Sequence, residues 1–289
     1  MKRLGYIVKL LLRWSAITIS VSVLVFVAAG GTGFPSLRRY IGTFSASLLA
    51  TMLCVDPSLI EERSSYLTKA TSPGRLAAGL FFLATLVLAG LDIGRLQWLD
   101  SVSSATRTSG LLLFVAAATL QLWAMAVNPF FSPEIRPQTE RGHRLITQGP
   151  YRFLRHPGYL AMLISVPASA LAIGSWLALI PATAFCFVVL DRVRREEEFL
   201  LQNFAGYGDY KRRVRGGLIP RPTVRRGLRR PALLVTLLAL SAGGFTCARD
   251  LVPASFSSVT SVLSWYGLPK PLPGLCSVAD LELHRCEWR

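Results

Sequence analysis

Apolar runs alternate with short basic segments along the chain. The runs at residues 14–29, 76–91 and 110–127 approach the length of about 20 residues that a helix needs to cross a bilayer. A longer run, residues 159–190, exceeds one straight span. Gly174 and Ser175 near its middle predict a helical hairpin with antiparallel arms, kinked at Pro167 and Pro181. The weaker run at 41–55 predicts a tilted or partial span. Between it and the next span, Asp56 and Ser58 suit N-caps and Pro57 suits a first helical turn, so residues 56–63 read as a solvated amphipathic helix. Asp92, Arg95, Trp98 and Asp100 read as an interfacial cluster. The pattern predicts an all-α, multi-pass transmembrane helical bundle. It divides into an N-terminal anchor region at 1–55, a core at 56–222 and a C-terminal extension at 223–289. The first run reads as a retained signal anchor, although the small residues Ala28, Ala29 and Gly30 also suit a cleavage site.

The second arm of the hairpin runs on as a polar helix from Asp191 to Leu201. Arg192 and Glu196, four residues apart, share one face of it. The hairpin returns this helix to the side it left, beside residues 143–159. That stretch is basic, aromatic and broken by Gly149-Pro150 and Pro157-Gly158, which mark turns. Irregular backbone at membrane depth persists only where it is buried in protein or lines a cavity. A cationic, aromatic cavity at the membrane surface follows as an expectation.

Charge narrows the partners. The chain of 289 residues carries a formal net charge of +16, which by itself would suit nucleic acid. The basic residues instead sit in short loops flanking apolar runs, around Arg13, Arg136–Arg155, Arg192–Arg195 and Lys211–Arg230. That is the distribution of cytoplasmic loops, so the expectation is an integral membrane protein with its catalytic loops in the cytosol (the inner membrane if bacterial) and no nucleic-acid partner. Cys54 and Cys186 fall in apolar runs and read as packing residues. The basic block Arg225–Arg230 before the apolar run at 231–245 predicts that this run crosses. The tail would then lie in a disulfide-permissive compartment, where Cys276 and Cys286 pair with each other or one of them pairs with Cys247.

No Ser-His-Asp set, metal-spaced His or Cys cluster, or phosphate-cradling loop followed by lysine occurs. What the cavity offers is backbone donors near Gly149, the rings of Tyr151 and Tyr159, the cations Arg155, His156 and Arg192, and the carboxylates Glu196 and Glu197. This set suits an amphiphilic ligand with mixed charge and an aromatic part, such as a nucleoside cofactor. Tyr207 and Tyr210 read as interfacial anchors.

Gly149-Pro150-Tyr151, Arg155-His156-Pro157 with Tyr159, the hairpin and Arg192 with Glu196-Glu197 together resemble the isoprenylcysteine carboxyl methyltransferase family, which is related to phospholipid methyltransferases. The likeness runs over residues 56–222 and takes in Asp56-Pro57 to Arg63 and Asn128 to Ser132. The resemblance implies S-adenosylmethionine as cofactor and a lipophilic or lipid-linked acceptor entering from the bilayer. It implies cofactor contacts at Gln138, His143, Arg144, Leu145, Ile146, Gly149, Pro150, Tyr151, His156, Tyr159, Glu196 and Glu197. Arg192 would hold the acceptor carboxylate, and Arg192 and Glu196 would be catalytic. Phe204-Ala205-Gly206-Tyr207 is one residue shorter than the family's pattern. Two alternatives stand beside this reading. One is phospholipid N-methylation. The other is an NADPH-dependent oxidoreductase like the sterol reductases, which tend to have Arg-His-x-Asn-Tyr where this chain has Pro157 and Gly158.

Overall fold

The computed structural model describes residues 2–65, 72–99 and 102–219. The extension from 223, with the run at 231–245 and Cys247, Cys276 and Cys286, lies outside the described residues, as does Asp100. Among the described residues every regular element is helical: α1 (Lys2–Ala29), α2 (Pro35–Cys54), α3 (Pro57–Ser65), α4 (Pro73–Leu91), α5 (Ser104–Val127), α6 (Pro157–Ile173), α7 (Leu179–Asn203) and α8 (Tyr207–Arg213). Three helical segments are long and apolar enough to cross a membrane: Gly5–Ala29, Pro73–Leu96 and Ser104–Val127. A fourth arises if α2 and α3, bent by 117° at their junction, count as one broken span.

The expected hairpin is present. Gly174 ends α6 in the left-handed region, φ 112°, where only glycine sits without strain. Ser175 Oγ then accepts the Ala178 N–H at 3.1 Å and starts the turn into α7. Pro167 lies inside α6, whereas Pro181 falls in the first turn of α7. A proline there removes no intrahelical hydrogen bond, so the kink expected at Pro181 has no cause.

Lipid tails are as apolar as leucine, so close packing rather than the hydrophobic effect holds such helices together. Small residues make that packing here. A Cβ on Gly110 of α5 would stand 2.7 Å from the Ala172 nitrogen of α6. Leu37 and Tyr40 of α2, Val25 of α1, Leu86 of α4, Phe114 of α5 and Ile173 of α6 form one buried cluster. The first 55 residues therefore share the core of the bundle. Asp92 is buried within the protein at the end of α4 and accepts a hydrogen bond from Ser175 Oγ at 2.6 Å, tying the end of α4 to the hairpin turn.

The end of α4 passes into a single π-helical turn, Asp92–Leu96. There Gly94 lies against the last turn of α1, and a Cβ on it would meet the Ala29 carbonyl well inside van der Waals contact. Overpacking of this kind costs about 1–3 kcal/mol or more. Gly94→Ala is expected to lower the midpoint of thermal unfolding in detergent. An unchanged midpoint would refute this close approach of α1 and α4.

Candidate functional site

The site is assembled at the ends of α5, α6 and α7. Asn128 caps α5: its Oδ1 accepts the Phe130 N–H at 2.9 Å and its Nδ2 donates to Tyr151 OH at 3.1 Å. The loop that follows is organised by buried Gln138, whose Nε2 donates to the Phe130 carbonyl at 2.9 Å. The His143 ring is set between Phe130 and Phe204, with centroids 4.7 and 4.6 Å away. Arg136 and Arg141 both reach Glu62 of α3, and Arg75 of α4 bridges to Glu134 at 3.2 Å. Arg63 donates to the Phe131 carbonyl at 3.2 Å and lies over the Phe131 ring. Residues 56–63 are thus not a solvated helix. They form α3, capped by Asp56 (Ser58 N–H to Oδ1, 2.8 Å), which is clamped onto the loop.

Gly149 has φ 55°, and a Cβ there would stand 2.9 Å from Val127 Cγ2, so glycine is required on both counts. Pro157 occupies the first turn of α6, a position that needs no N–H. It places His156 and Tyr159 where α7 returns. Tyr159 OH donates to Glu196 Oε2 at 2.6 Å. Arg155 Nε donates to Glu197 Oε1 at 2.7 Å, and Lys211 Nζ to Glu197 Oε2 at 3.0 Å. His156 Nε2 stands 3.5 Å from Glu197 Oε1, an ion-pair distance longer than a well-formed hydrogen bond. Arg192 Nη2 donates to the Pro133 carbonyl at 2.7 Å. The backbone N–H groups of Arg155 and His156 donate to the Gly216 and Gly217 carbonyls and close the layer from behind.

These groups border a cavity of about 1110 Å³. Gln138, His143, Arg144, Leu145, Ile146, Tyr151, His156, Tyr159, Arg192 and Glu196 all line it. Gly149, Pro150 and Glu197 do not. The first two pack behind the wall, and Glu197 is spent on Arg155, Lys211 and His156. Away from the polar end the cavity is bounded by Ile17, Met52, Leu80, Leu83 and Phe185, from α1, α2, α4 and α7. Tyr207 and Tyr210 are not interfacial anchors. Both are buried and line the cavity, and Tyr210 OH donates to the Tyr151 carbonyl at 2.8 Å. Sequence reasoning gave no role to Phe130, Phe204, Asn128, Arg63 or Arg75. Phe130 and Phe204 carried one signal, being aromatic residues at the two breaks where helices end.

His156, then Lys211 and Arg155, hold the Glu197 carboxyl well below the usual carboxylate range, against the opposing effect of its partial burial. Burial, then Arg136 and Arg141, lowers the His143 pKa. Both shifts act in the same direction. Where the folded chain binds fewer protons than the unfolded chain, stability rises with pH. The His143 contribution should therefore be whole above about pH 6.5 and decline as pH falls from there toward its lowered pKa. The Glu197 contribution should begin to decline only below about pH 4.3. Thermal unfolding midpoints between pH 7.5 and 5 should fall, and His143→Gln should flatten that slope. A slope unchanged in the variant would remove His143 from this account.

Chemically, the site joins a polar end, with a free face on Arg192 and Glu196, to an apolar channel open to helices that face lipid. It can orient an ionised group next to a cationic, aromatic ligand and exclude water from both. Among the described residues no group of three or more His, Cys, Asp or Glu could hold a metal ion.

Residues 110–202 match the model of the Isoprenylcysteine carboxyl methyltransferase (ICMT) family. The chain is similar to the "Nickel-cobalt-cadmium resistance protein NccN" of Alcaligenes xylosoxydans xylosoxydans, 33% identical over 46% of this chain and 59% of that protein. It is similar to the "Probable protein-S-isoprenylcysteine O-methyltransferase" of Oryza sativa subsp. indica, 30% identical over 38% of this chain and 59% of that protein. It is also similar to the "Cobalt-zinc-cadmium resistance protein CzcN" of Cupriavidus metallidurans, 30% identical over 50% of this chain and 63% of that protein. The likeness spans less than two thirds of the length of each of these relatives.

Proposed function

We propose that the chain is a member of the isoprenylcysteine carboxyl methyltransferase family, whose model matches residues 110–202, and that it is an integral-membrane, S-adenosylmethionine-dependent methyltransferase. In this reading it O-methylates the carboxylate of a lipophilic acceptor that reaches the cavity from the bilayer. The observation that carries the proposal is the single cavity in which Arg192 and Glu196, on one face of α7, meet both an aromatic loop and an apolar channel.

The donor set fits the cofactor. Glu196 offers a carboxylate to a cationic group. His143, flanked by Phe130 and Phe204, offers ring faces to an adenine, and residues 144–146 offer backbone beside it. When bound, S-adenosylmethionine supplies an electrophilic methyl group on a sulfonium. Arg192 orients the acceptor carboxylate through its planar fork. Tyr159 fixes Glu196 by donating to it. The Phe130, Phe204 and Tyr151 walls exclude water.

A carboxylate, with a reference pKa near 4, is already ionised at neutral pH, so no general base is required. An amine acceptor would have to lose a proton. Glu197, ion-paired with Arg155 and Lys211 and held at low pKa, is poorly suited to take it, which leaves Glu196 as the carboxylate that would have to. The ester product needs no base, whereas phospholipid N-methylation would require Glu196, which lines the cavity and is also proposed to face the cofactor, to act as one. The basic residues Arg13, Arg136, Arg144 and Arg155 border the cavity, which supports a cytosolic orientation for that end.

Thermal unfolding of the purified protein tests the cofactor, since a ligand that binds only the folded state raises its stability. S-Adenosylmethionine should raise the midpoint and NADPH should not. A shift with NADPH alone would replace the methyltransferase by an oxidoreductase.

A further inference from the structure

The opposite end of the bundle contains a second crevice. Gly74, at the start of α4, approaches Arg192, and Asp92 follows the last residue of α4. At 1.5 Å per residue the two ends are about 27 Å apart, close to the thickness of a bilayer's hydrocarbon core. The crevice, about 490 Å³, is bordered by Phe34, Ser36, Ile93, Gln97, Leu99 and the hairpin glycine Gly174, with Asp92 and Arg107 in its wall.

Its two charged side chains are unusual. Asp92 is buried, and its Oδ2 is taken by Ser175, but its Oδ1 has no partner. Arg107 Nε is buried against Gly174 and also has no partner. Neither side chain has an ion pair within 4 Å among the described residues. A carboxylate left without a full set of partners at such a depth costs several kcal/mol. The chain approaches this crevice through local strain as well. Gln97, at the end of the π-helical turn, is the one non-glycine residue with positive φ among the described residues, at 49°. Strained backbone and π-turns concentrate where a ligand or function maintains them.

The space exceeds what one or two bridging waters would fill. Its lining mixes apolar side chains (Phe34, Ile93, Leu99) with polar ones (Ser36, Gln97, Asp92, Arg107), and the length of α4 sets it at the level of a membrane interface. Leu99 borders the crevice and is exposed, and Trp98 beside it is 70% exposed, an amphipathic ring at headgroup level. An occupant must therefore offer both an anion and a hydrogen-bonding cation on a molecule whose remainder lies in lipid.

We propose that this crevice binds the headgroup of an aminophospholipid, with the phosphate on Arg107 and the ammonium on Asp92. The hydrogen bond from Ser175 to Asp92 then couples the bound lipid to the hairpin turn, on which the position of α7 depends. The proposal is independent of the reaction proposed above.

Native mass spectrometry of the full-length protein, extracted from vesicles of defined composition, tests it. Vesicles contain phosphatidylcholine alone or with phosphatidylethanolamine or phosphatidylglycerol. One phosphatidylethanolamine should stay bound after mild delipidation. Phosphatidylcholine, whose quaternary ammonium has no N–H to give Asp92, should be lost, and so should phosphatidylglycerol. Loss of a charge-assisted hydrogen bond is worth about tenfold or more, so Arg107→Gln should cut retention by at least that factor. Asp92→Asn, which can still accept from Ser175, should do the same, and Arg107→Gln alone decides the matter if that variant does not fold. Equal retention of all three lipids, preferential retention of phosphatidylglycerol, or retention unchanged in Arg107→Gln would each overturn the proposal.

Discussion

Arg192→Lys is expected to reduce turnover by about 10²-fold while leaving affinity for S-adenosylmethionine within about twofold. The Arg192 Nη2 is held by the Pro133 carbonyl at 2.7 Å, so the guanidinium is fixed relative to the loop that forms the far wall of the cavity. A fixed planar fork can hold both oxygens of a carboxylate and set its line of approach. Lysine retains the positive charge but presents a single mobile ammonium, and loses both the anchor and the two-point contact. Misplacing the acceptor by about 1 Å is enough for a loss of this size in an in-line displacement. The cofactor contacts proposed for Glu196 and the 143–146 segment do not involve Arg192. Steady-state kinetics with a thermal-shift titration separates these effects. A lysine variant that turns over like the parent would make Arg192 a structural charge tying α7 to the 133 loop.

Glu196→Gln is expected to weaken cofactor binding by about 10- to 100-fold, from the loss of a charge-assisted interaction worth about 1.5–3 kcal/mol. The fold should be spared, because a glutamine oxygen can still accept the hydrogen bond that Tyr159 donates at 2.6 Å. The binding of a cationic sulfonium cofactor, by contrast, depends on the lost charge. Isothermal titration in detergent measures the affinity and thermal unfolding measures the fold. If the affinity is unchanged, Glu196 only positions Tyr159. If the fold is lost as well, the charge of Glu196 is a stability element.

The central part of this architecture could be read from the chain because it rests on short-range signals. Gly174 with Ser175 at the middle of an over-long apolar run required a hairpin, and a hairpin required that Arg192 and Glu196 return to His156 and Tyr159. Less could be read where a residue's partner lies far along the chain. That Asp92 is buried could not be read, because its partner, Ser175, is 83 residues away. Residues 56–63 looked solvated because their charge pattern suits water. Arg136 and Arg141, nearly 80 residues on, bury Glu62 instead. Tyr207 and Tyr210 have the composition of membrane-interface anchors, and only the contact with Tyr151 brings Tyr210 inside. Glu197 adjoins Glu196 in sequence, yet adjacent residues on a helix point about 100° apart. One faces the cavity and the other serves the ion-pair cluster behind it.

The most direct test is the chemistry of the product. Membranes containing the protein are incubated with S-adenosylmethionine labelled in its methyl group, and the labelled lipid or protein fraction is then treated with mild base. A carboxyl methyl ester releases its label as methanol, and the rate of its formation should fall about 10²-fold in membranes carrying the Arg192→Lys variant. Label that survives base, as a methylated amine would, contradicts carboxyl methylation by this site.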